Sequence, residues 1–297
     1  MKNIITNNEL IEIIMPPLIG DCIMAFPLIN YLKPDHDITL VCNDYVLETV
    51  KFLQYPVKSK SLSENDLNSK IIIDFLSNTE SASYIKFSKP KLSLGFKDGF
   101  WKYDLLLKQP TEFKTEQASS IFLYALELLG FKNLQTLDFS CGNKWQYSNQ
   151  NKLLIAPSAG NIDRCYKIAD FNSIGEKLKD INVAFILGPK DKGLRNYITS
   201  TFEIIETDNI IQTIEILSSS KLVIASEGGF MHITAAYGVP LIGLFKVASS
   251  NNWFPYSNES QIAYGSEINN YTTINDEQLN TSVIVDKANQ IYKSNGH

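Results

Sequence analysis

KLVIASEGGFMHITAAYGVPLIGLF, residues 221–245, contains the local pattern that decides the fold. An apolar strand (Leu222–Ala225) leads into a tight loop, and a short helix (Phe230–Tyr237) is followed by a second apolar strand (Leu241–Phe245). The two adjacent glycines of the loop have no Cβ atoms, so a ligand can approach the backbone closely there. Because the helix would point its first N–H groups into the same space, the segment predicts a phosphate-binding loop.

Two polar side chains flank these glycines. Glu227 directly precedes Gly228 and Gly229, and His232 lies within the first turn of the predicted helix. A carboxylate beside a phosphate loop is suited to hydroxyl groups, so we expect a phosphorylated ligand that also carries hydroxyls. His232 is expected to donate to the phosphate, and the alternative is a core histidine whose hydrogen bonds are satisfied within the protein.

The rest of the chain alternates short apolar runs with amphipathic stretches, the pattern of α/β proteins. Ser140–Asn151 is rich in turn-forming residues and predicts a linker. We therefore expect two α/β domains, residues 1–145 and 146–297, with ligands at the carboxyl ends of their strands. Besides the opening segment, strands are predicted over 11–15, 38–42, 71–75, 153–156, 183–187 and 203–205, with weaker ones near 57 and 92. Helices are predicted over 22–33, 45–53, 81–87, 116–129, 168–179, 192–201, 210–218 and 277–292.

Composition excludes several classes of function. A net charge of −5 argues against a general nucleic-acid-binding protein, which usually needs a basic surface. The cysteines are scattered without CxxC spacing and indicate reduced thiols in a cytoplasmic protein. Three histidines, one of them terminal, make a histidine-based zinc site improbable. The N-terminal apolar residues are interrupted by acids and prolines, so neither a signal peptide nor a membrane-spanning helix is predicted.

The loop Pro157–Lys167 follows a predicted strand and contains one of only two arginines in the chain, Arg164; the other is Arg195. A guanidinium group can donate two hydrogen bonds at once and therefore suits a diphosphate. Lys167 and the hydroxyl of Ser158 are further candidates for binding the same ligand. The alternative interpretation is that these charges are solvated loop residues.

Two aspartates at other strand ends are candidates with competing explanations. Asp191, after the strand over 183–187, is placed to bind a ribose hydroxyl pair, although a helix cap is the more ordinary role. Asp21 follows the first strand and is placed to act as a general base toward an acceptor hydroxyl. Its alternative role is the N-cap of the apolar helix that follows.

Residues 86–114 hold seven lysines against three acidic residues, interleaved with aromatic side chains. The simple interpretation is a solvated hairpin over a small core. The alternative is a surface that meets an anionic acceptor or the lipid headgroups of a membrane.

Several motifs together resemble glycosyltransferase family 9, the ADP-heptose:lipopolysaccharide heptosyltransferases. SEGGFMHITAAYGVP (226–240) resembles the family signature, in which Asp, a hydroxyl residue, Gly-Pro and Met-His precede a small-residue helix and Gly-x-Pro. LIGDCIMAFPLINYL (18–32) resembles the Gly-Asp motif with its helix, and DRCYKIADF (163–171) resembles the Lys-Arg-Trp-Pro segment. WFPY (253–256) resembles the tail motif Trp-x-Pro-Tyr. The sequence departs from the family at Glu227, where Asp is usual, and at Gly228, where a hydroxyl residue is usual.

The resemblance implies a GT-B architecture: two Rossmann-like domains facing a central cleft, acceptor in the first and nucleotide sugar in the second. It implies inverting sugar transfer without a metal or cofactor, from a nucleotide-diphospho-sugar such as ADP-heptose to a saccharide or glycolipid acceptor of the lipopolysaccharide core. Asp21 would be the catalytic base, and Arg164 would bind phosphate. The remaining donor-binding candidates are Ser158, Lys167, Asp191, Glu227, Gly228, Gly229 and His232.

Three alternatives remain open at this point. The chain could be a GT-B protein that binds a nucleotide sugar without turnover, a GT-B enzyme for a different sugar, or a two-lobed ligand-binding protein. The same resemblance predicts a cytoplasmic protein, in contact with the inner face of the membrane if the basic segment 86–114 binds lipid.

Overall fold

The structure is a computed structural model of the 297-residue chain, and it divides into two compact units, Met1–Asn143 and Lys144–His297. The described residues are 4–6, 8–53, 55, 57–64, 70–97, 100–109, 118–131, 138–141, 151–246, 253, 271–275 and 279–294. Three sequence predictions concern residues outside these ranges: most of the predicted linker 140–151, the expected domain boundary at residue 145, and Tyr256 of the tail motif.

The first unit is built on a sheet of parallel strands in the order β3-β2-β1-β4-β5-β6. In sheet register, Ile11 of β1 lies between Ile38 of β2 and Ile71 of β4. The strands are β1 (Leu10–Ile14), β2 (Asp37–Cys42), β3 (Lys58–Ser61), β4 (Ile71–Asp74), β5 (Leu92–Phe96) and β6 (Leu105–Leu107). The helices are α1 (Ile19–Met24), α2 (Phe26–Leu32), α3 (Asp44–Phe52), α4 (Thr79–Ser88) and α5 (Ser119–Leu128).

The second unit repeats this strand order. Its parallel sheet runs β12-β11-β10-β7-β8-β9, which is again third, second, first, fourth, fifth, sixth when read from β9. The strands are β7 (Lys152–Ala156), β8 (Asn182–Leu187), β9 (Glu203–Glu206), β10 (Leu222–Ser226), β11 (Leu241–Phe245) and β12 (Tyr271–Asn275). The helices are α6 (Ile168–Lys177), α7 (Ile210–Ser218), α8 (Gly229–Ala236) and α9 (Thr281–Ser294), with 3₁₀ turns at Ile162–Arg164 and Lys192–Tyr197.

The central strands are continuous apolar runs, because both faces of a parallel sheet are covered by helices and so are buried. Every residue of β10 and β11 is buried. In the second unit, strand residues such as Ile155, Phe185 and Ile224 pack in one core with side chains of α6 and α9. The second sheet therefore has an apolar centre formed by its inner strands.

Several sequence predictions are wrong in detail. The helix predicted over 22–33 is two helices, α1 and α2, because Pro27 has no N–H to donate to the carbonyl of Ile23. The helix predicted over 192–201 is the 3₁₀ turn Lys192–Tyr197. The hairpin interpretation of residues 86–114 is also wrong, since β5 and β6 run parallel. Neither β6 nor β12 was expected from the sequence.

Candidate functional site

The candidate site lies at the carboxyl edge of the second sheet, where β7 and β10 are neighbours and their following loops leave in different directions. Such a switch point opens a crevice in which open α/β sheets bind ligands. The two loops are in contact: the Ser226 hydroxyl donates to the carbonyl of Pro157 at 2.8 Å. A Cβ atom added at Gly228 would meet Ala159 at 3.4 Å. The sheet thus brings together two loops that are far apart in the sequence.

Arg164 and Glu227 form an ion pair across these loops. The Nη1 atom of Arg164 donates to Oε1 of Glu227 at 3.1 Å. The Arg164 side chain is 46 % exposed, whereas that of Glu227 is only 3 % exposed. Two residues that were predicted separately to contact the donor therefore contact each other.

The loop that carries Arg164 is fastened to the end of β11. Tyr166 donates its hydroxyl to the carbonyl of Phe245 at 2.9 Å, and Lys246 donates Nζ–H to the carbonyl of Cys165 at 2.9 Å. The backbone N–H of Ala159 points to Sγ of Cys165 at 3.1 Å. Sequence reasoning missed Lys246, although its position directly after a buried strand was a usable signal.

Helix α8 begins at the centre of the site with Gly228 as its N-cap, and no side chain caps this end. The first N–H groups of a helix have no carbonyl partner within the helix, so they are directed at whatever occupies the space in front. Among the described residues, no atom lies within 4 Å of a Cβ placed on Gly229 or on Gly160. The backbone at these two glycines therefore borders open space, which fits the predicted phosphate loop.

His232 lies one turn into α8 and is 4 % exposed. Burial lowers the pKa of this imidazole from 6.5 to about 4, so it is neutral at neutral pH. Among the described residues, its Nδ1 atom has no hydrogen-bond partner. His232 is therefore buried as the core-histidine interpretation predicts, but the Nδ1 hydrogen bond that this interpretation requires is not present among the described residues.

A second polar pair joins the loops after β7 and β8. The Ser158 hydroxyl donates to Oδ2 of Asp191 at 2.8 Å. Asp191 stands at the N-cap position of the 3₁₀ turn, as the capping interpretation predicts, but its side chain makes no capping hydrogen bond. Nearby, a Cβ on Gly188 would lie 2.9 Å from the Phe230 ring, which brings the first turn of α8 over this loop.

Lys167 contacts neither of these two polar pairs. It is exposed and occupies the N-cap position of α6 without a side-chain cap bond. The structure therefore connects Ser158 with Asp191 and Arg164 with Glu227, while Lys167 stays at the surface.

The corresponding edge of the first sheet carries different chemistry. Asp21 is the third residue of α1, whose N-cap is Leu18, so the N-cap interpretation of Asp21 is wrong. At the end of β4, the fully buried Asp74 accepts bonds from the Tyr103 hydroxyl at 2.6 Å and from the backbone N–H groups of Leu76 and Ser77 at 2.9 Å. Burial raises the pKa of Asp74 against the opposing effect of these bonds.

Two absences hold for the described part of the chain. No helix there is both long enough and apolar enough to cross a bilayer. In the same residues, His, Cys, Asp and Glu side chains form no group of three or more that could hold a metal ion.

Solved structures with similar folds identify the fold class of this chain. The chain superposes on a glycosyltransferase family 9 protein from Veillonella parvula DSM 2008 with a TM-score of 0.76 at 12 % identity, covering 97 % of this chain and 98 % of that one. E. coli ADP-heptose lps heptosyltransferase II gives 0.72 at 13 % identity, and E. coli heptosyltransferase WaaC with ADP gives 0.69 at 12 %. Both comparisons cover 97 % of this chain and 100 % of the other. The fold is that of GT-B glycosyltransferases, with two Rossmann-like domains.

Residues 80–283 match the family model of glycosyltransferase family 9 (heptosyltransferase). Because this match spans more than half of the chain, the protein belongs to glycosyltransferase family 9 and is a glycosyltransferase. The resemblance inferred from the motifs is thereby confirmed. Among curated proteins, the sequence has no significant match.

Proposed function

We propose that the protein transfers a heptose from ADP-heptose to a saccharide or glycolipid acceptor of the lipopolysaccharide-core type, with inversion at the anomeric carbon and without a metal ion or cofactor. The observation that carries the proposal is the space at Gly160 and at Gly229, the first residue of α8, where no described atom lies within 4 Å of an added Cβ, together with the Arg164–Glu227 ion pair that joins the same two loops. The similar structures named for ADP and for ADP-heptose support the choice of donor.

On the donor side, each group has a distinct task. The N-terminal amides of α8 and the Arg164 guanidinium stabilise the negative charge that grows on the leaving diphosphate. The Ser158–Asp191 pair binds the ribose hydroxyls, because a carboxylate accepts hydrogen bonds from hydroxyls and a serine hydroxyl can both donate and accept them. Glu227 accepts from hydroxyls of the sugar. Neutral His232 adds an uncharged hydrogen-bonding group beside the phosphates.

The role of Lys167 in this proposal is limited to attracting the donor's charge, since the side chain is exposed. Its long, flexible stem allows contact with a phosphate only after the donor has bound. We therefore expect Lys167 to matter less than Arg164.

On the acceptor side, residues 1–145 bind the acceptor, and Asp21 acts as general base. The acceptor hydroxyl gives its proton to the Asp21 carboxylate while its oxygen attacks the anomeric carbon. The bond between that carbon and the diphosphate oxygen breaks, and the diphosphate leaves with the electron pair. Exclusion of water from the site limits hydrolysis of the donor.

The proposal includes a cytoplasmic location with peripheral contact at the inner membrane surface through the described residues of segment 86–114. Phe87 is 61 % exposed and Phe100 is 68 % exposed, and the neighbouring lysines at 86, 89 and 102 are exposed as well. Exposed aromatic and basic side chains together favour anionic lipid surfaces. Sedimentation with vesicles of anionic lipid should give binding that weakens with salt, and equal recovery with neutral vesicles would contradict this part.

The central experiment is a donor screen by calorimetry with ADP, UDP and their sugar derivatives. We expect the adenine series to bind, and Arg164→Gln to weaken ADP binding by roughly tenfold or more, because it removes charge-assisted bonds. Arg195→Gln is the matched control, since Arg195 pairs with Glu206 outside the site. The anomeric configuration of the product and activity in EDTA test inversion and metal independence. Failure of every nucleotide to bind would overturn the proposal.

A second candidate function is supported by one observation. Arg164 already pairs with Glu227, a carboxylate that a diphosphate would have to displace. This arrangement also fits a GT-B protein that binds a nucleotide sugar without turnover. Binding of donor with no transfer to any of a range of saccharide acceptors would favour this candidate.

A further inference from the structure

We propose that Glu227 is an exchangeable counter-ion for Arg164, which makes the site hold the intact nucleotide sugar and expel the nucleotide diphosphate. This inference rests on the proposed function and assigns a specific task to the ion pair. A diphosphate takes Arg164 away from Glu227, and a sugar hydroxyl then compensates the carboxylate. When the sugar has been transferred, Glu227 regains Arg164 and displaces the diphosphate.

The first step of the argument is the asymmetry of the pair. The Glu227 carboxylate is buried at 3 % exposure, and the Arg164 side chain is nearly half exposed. A buried charge that loses its partner is costly, whereas an exposed guanidinium can be solvated at any time. The pair is therefore more important to Glu227 than to Arg164.

The second step is that only the Arg164 side chain needs to move. The loop directly after Arg164 is held by the bonds of Tyr166 to Phe245 and of Lys246 to Cys165. Glu227 is held as well, because its N–H donates to the carbonyl of Leu244 at 3.0 Å. Exchange between carboxylate and phosphate is then a rotation of one long side chain between two fixed positions.

The third step compares the two partners of Arg164. Toward Glu227, the guanidinium makes one bond, from Nη1. Toward a diphosphate it can donate two parallel bonds to an anion of higher charge. A diphosphate in the open space at Gly160 and Gly229 therefore wins Arg164 from the carboxylate.

The fourth step concerns Glu227 after the exchange. An ionised carboxylate and a diphosphate are both anions, so they repel each other, and both only accept hydrogen bonds, so neither can donate to the other. Sugar hydroxyls donate and can take the place of Arg164. The intact donor satisfies both residues, whereas the product nucleotide satisfies Arg164 at the expense of Glu227.

The test measures the affinities of ADP and ADP-heptose for the wild type and for Glu227→Gln by calorimetry. Glutamine has the same shape without the charge, so ADP should bind about tenfold more tightly. The ratio of ADP-heptose affinity to ADP affinity should fall by about the same factor. The matched control is Glu206→Gln, which removes the carboxylate of the other Arg–Glu pair, at 3.3 Å, and should change neither affinity.

A second variant keeps the test decisive if Glu227→Gln does not fold. Glu227→Asp retains the charge but withdraws it by one methylene from Arg164, so ADP should again bind more tightly, by a smaller factor, with the preference for ADP-heptose partly kept. Unchanged or weaker ADP binding in the folded variants would overturn the counter-ion role while the proposed function stands. Absence of nucleotide binding by the wild type would instead overturn the proposed function itself.

Discussion

The two sheets of this protein have the same strand order and different chemistry at their carboxyl edges. In the first unit, Asp74 ends β4 and is surrounded by hydrogen-bond donors, including the Tyr103 hydroxyl. In the second unit, Glu227 directly follows the corresponding strand β10, and no described atom lies within 4 Å of a Cβ placed on nearby Gly229. Strand order thus decides where a site can form, and the loop residues decide whether the space is filled or left for a ligand.

The connections before these strands also differ. Residues 207–221 join β9 to β10 and contain α7, whereas the shorter connection 62–70 joins β3 to β4. The first sheet carries a polar cluster beside its short connection: Glu12 of β1 accepts from the buried Lys70 and from the Tyr84 hydroxyl, each at 2.8 Å. A buried charge of this kind is tolerated only when it is paired. In the second unit, the third residue of β7 is instead the buried, apolar Leu154.

The largest expected effect is on turnover and comes from the first unit, which carries the proposed base. Asp21→Asn removes the proposed base and should lower turnover by about 100-fold or more, with ADP affinity nearly unchanged because the proposed donor site lies in the other unit. Steady-state kinetics with calorimetry on the same preparation measures both. Asp35→Asn, an exposed carboxylate of the same unit, is the charge-matched control. Turnover at the wild-type level would remove Asp21 from the mechanism.

The next effect concerns the second sheet and depends on pH. The pKa of His232 is about 4 in the folded protein and 6.5 in an exposed imidazole, so the unfolded chain binds more protons between these values. Stability contributed by neutral His232 is present above pH 6.5 and is lost as pH falls toward 4. Between pH 7 and pH 5 the loss amounts to about 2 kcal/mol.

Urea denaturation of the wild type and of His232→Asn at both pH values measures this loss. The variant should lack that part of the pH dependence and retain the parts from other groups, such as His36, whose pKa burial also lowers. Equal pH dependence in the two proteins would mean that the imidazole is protonated in the folded state.

The smallest expected effect sharpens the comparison at the phosphate loop. Gly228 is extended (φ 170°, ψ −171°) and its nearest neighbour would be 3.4 Å from an added Cβ, so serine fits without strain. Gly228→Ser adds a side chain that can cap the N-terminus of α8 and restricts the unfolded chain, which together should stabilise the protein by about 0.5 kcal/mol. Gly193→Ser, also sterically open, is the control without an N-cap role. Equal stabilisation in both variants would argue against a capping bond.

Much of the fold could be predicted because its signals are local. The buried runs of β7, β8, β10 and β11 are contiguous in sequence, and the loop before α8 was visible from its glycines. Short elements were harder: β6 has three residues, too few for a periodic pattern, and the 3₁₀ turn after Asp191 has the composition of a helix. The division of 22–33 into two helices depended on one proline.

The sequence by itself determined the parallel α/β class, the glycine loop before α8 and the family, since apolar periodicity, glycine and short motifs act over a few neighbouring residues. Only the tertiary structure decided which polar residues meet. Arg164 and Glu227 pair because β7 and β10 are adjacent in the sheet, and Ser158 reaches Asp191 because β8 lies on the other side of β7. Strand adjacency comes from the packing of the whole unit. No local pattern therefore specifies that Arg164, which is predicted to bind phosphate, forms an ion pair with a buried carboxylate.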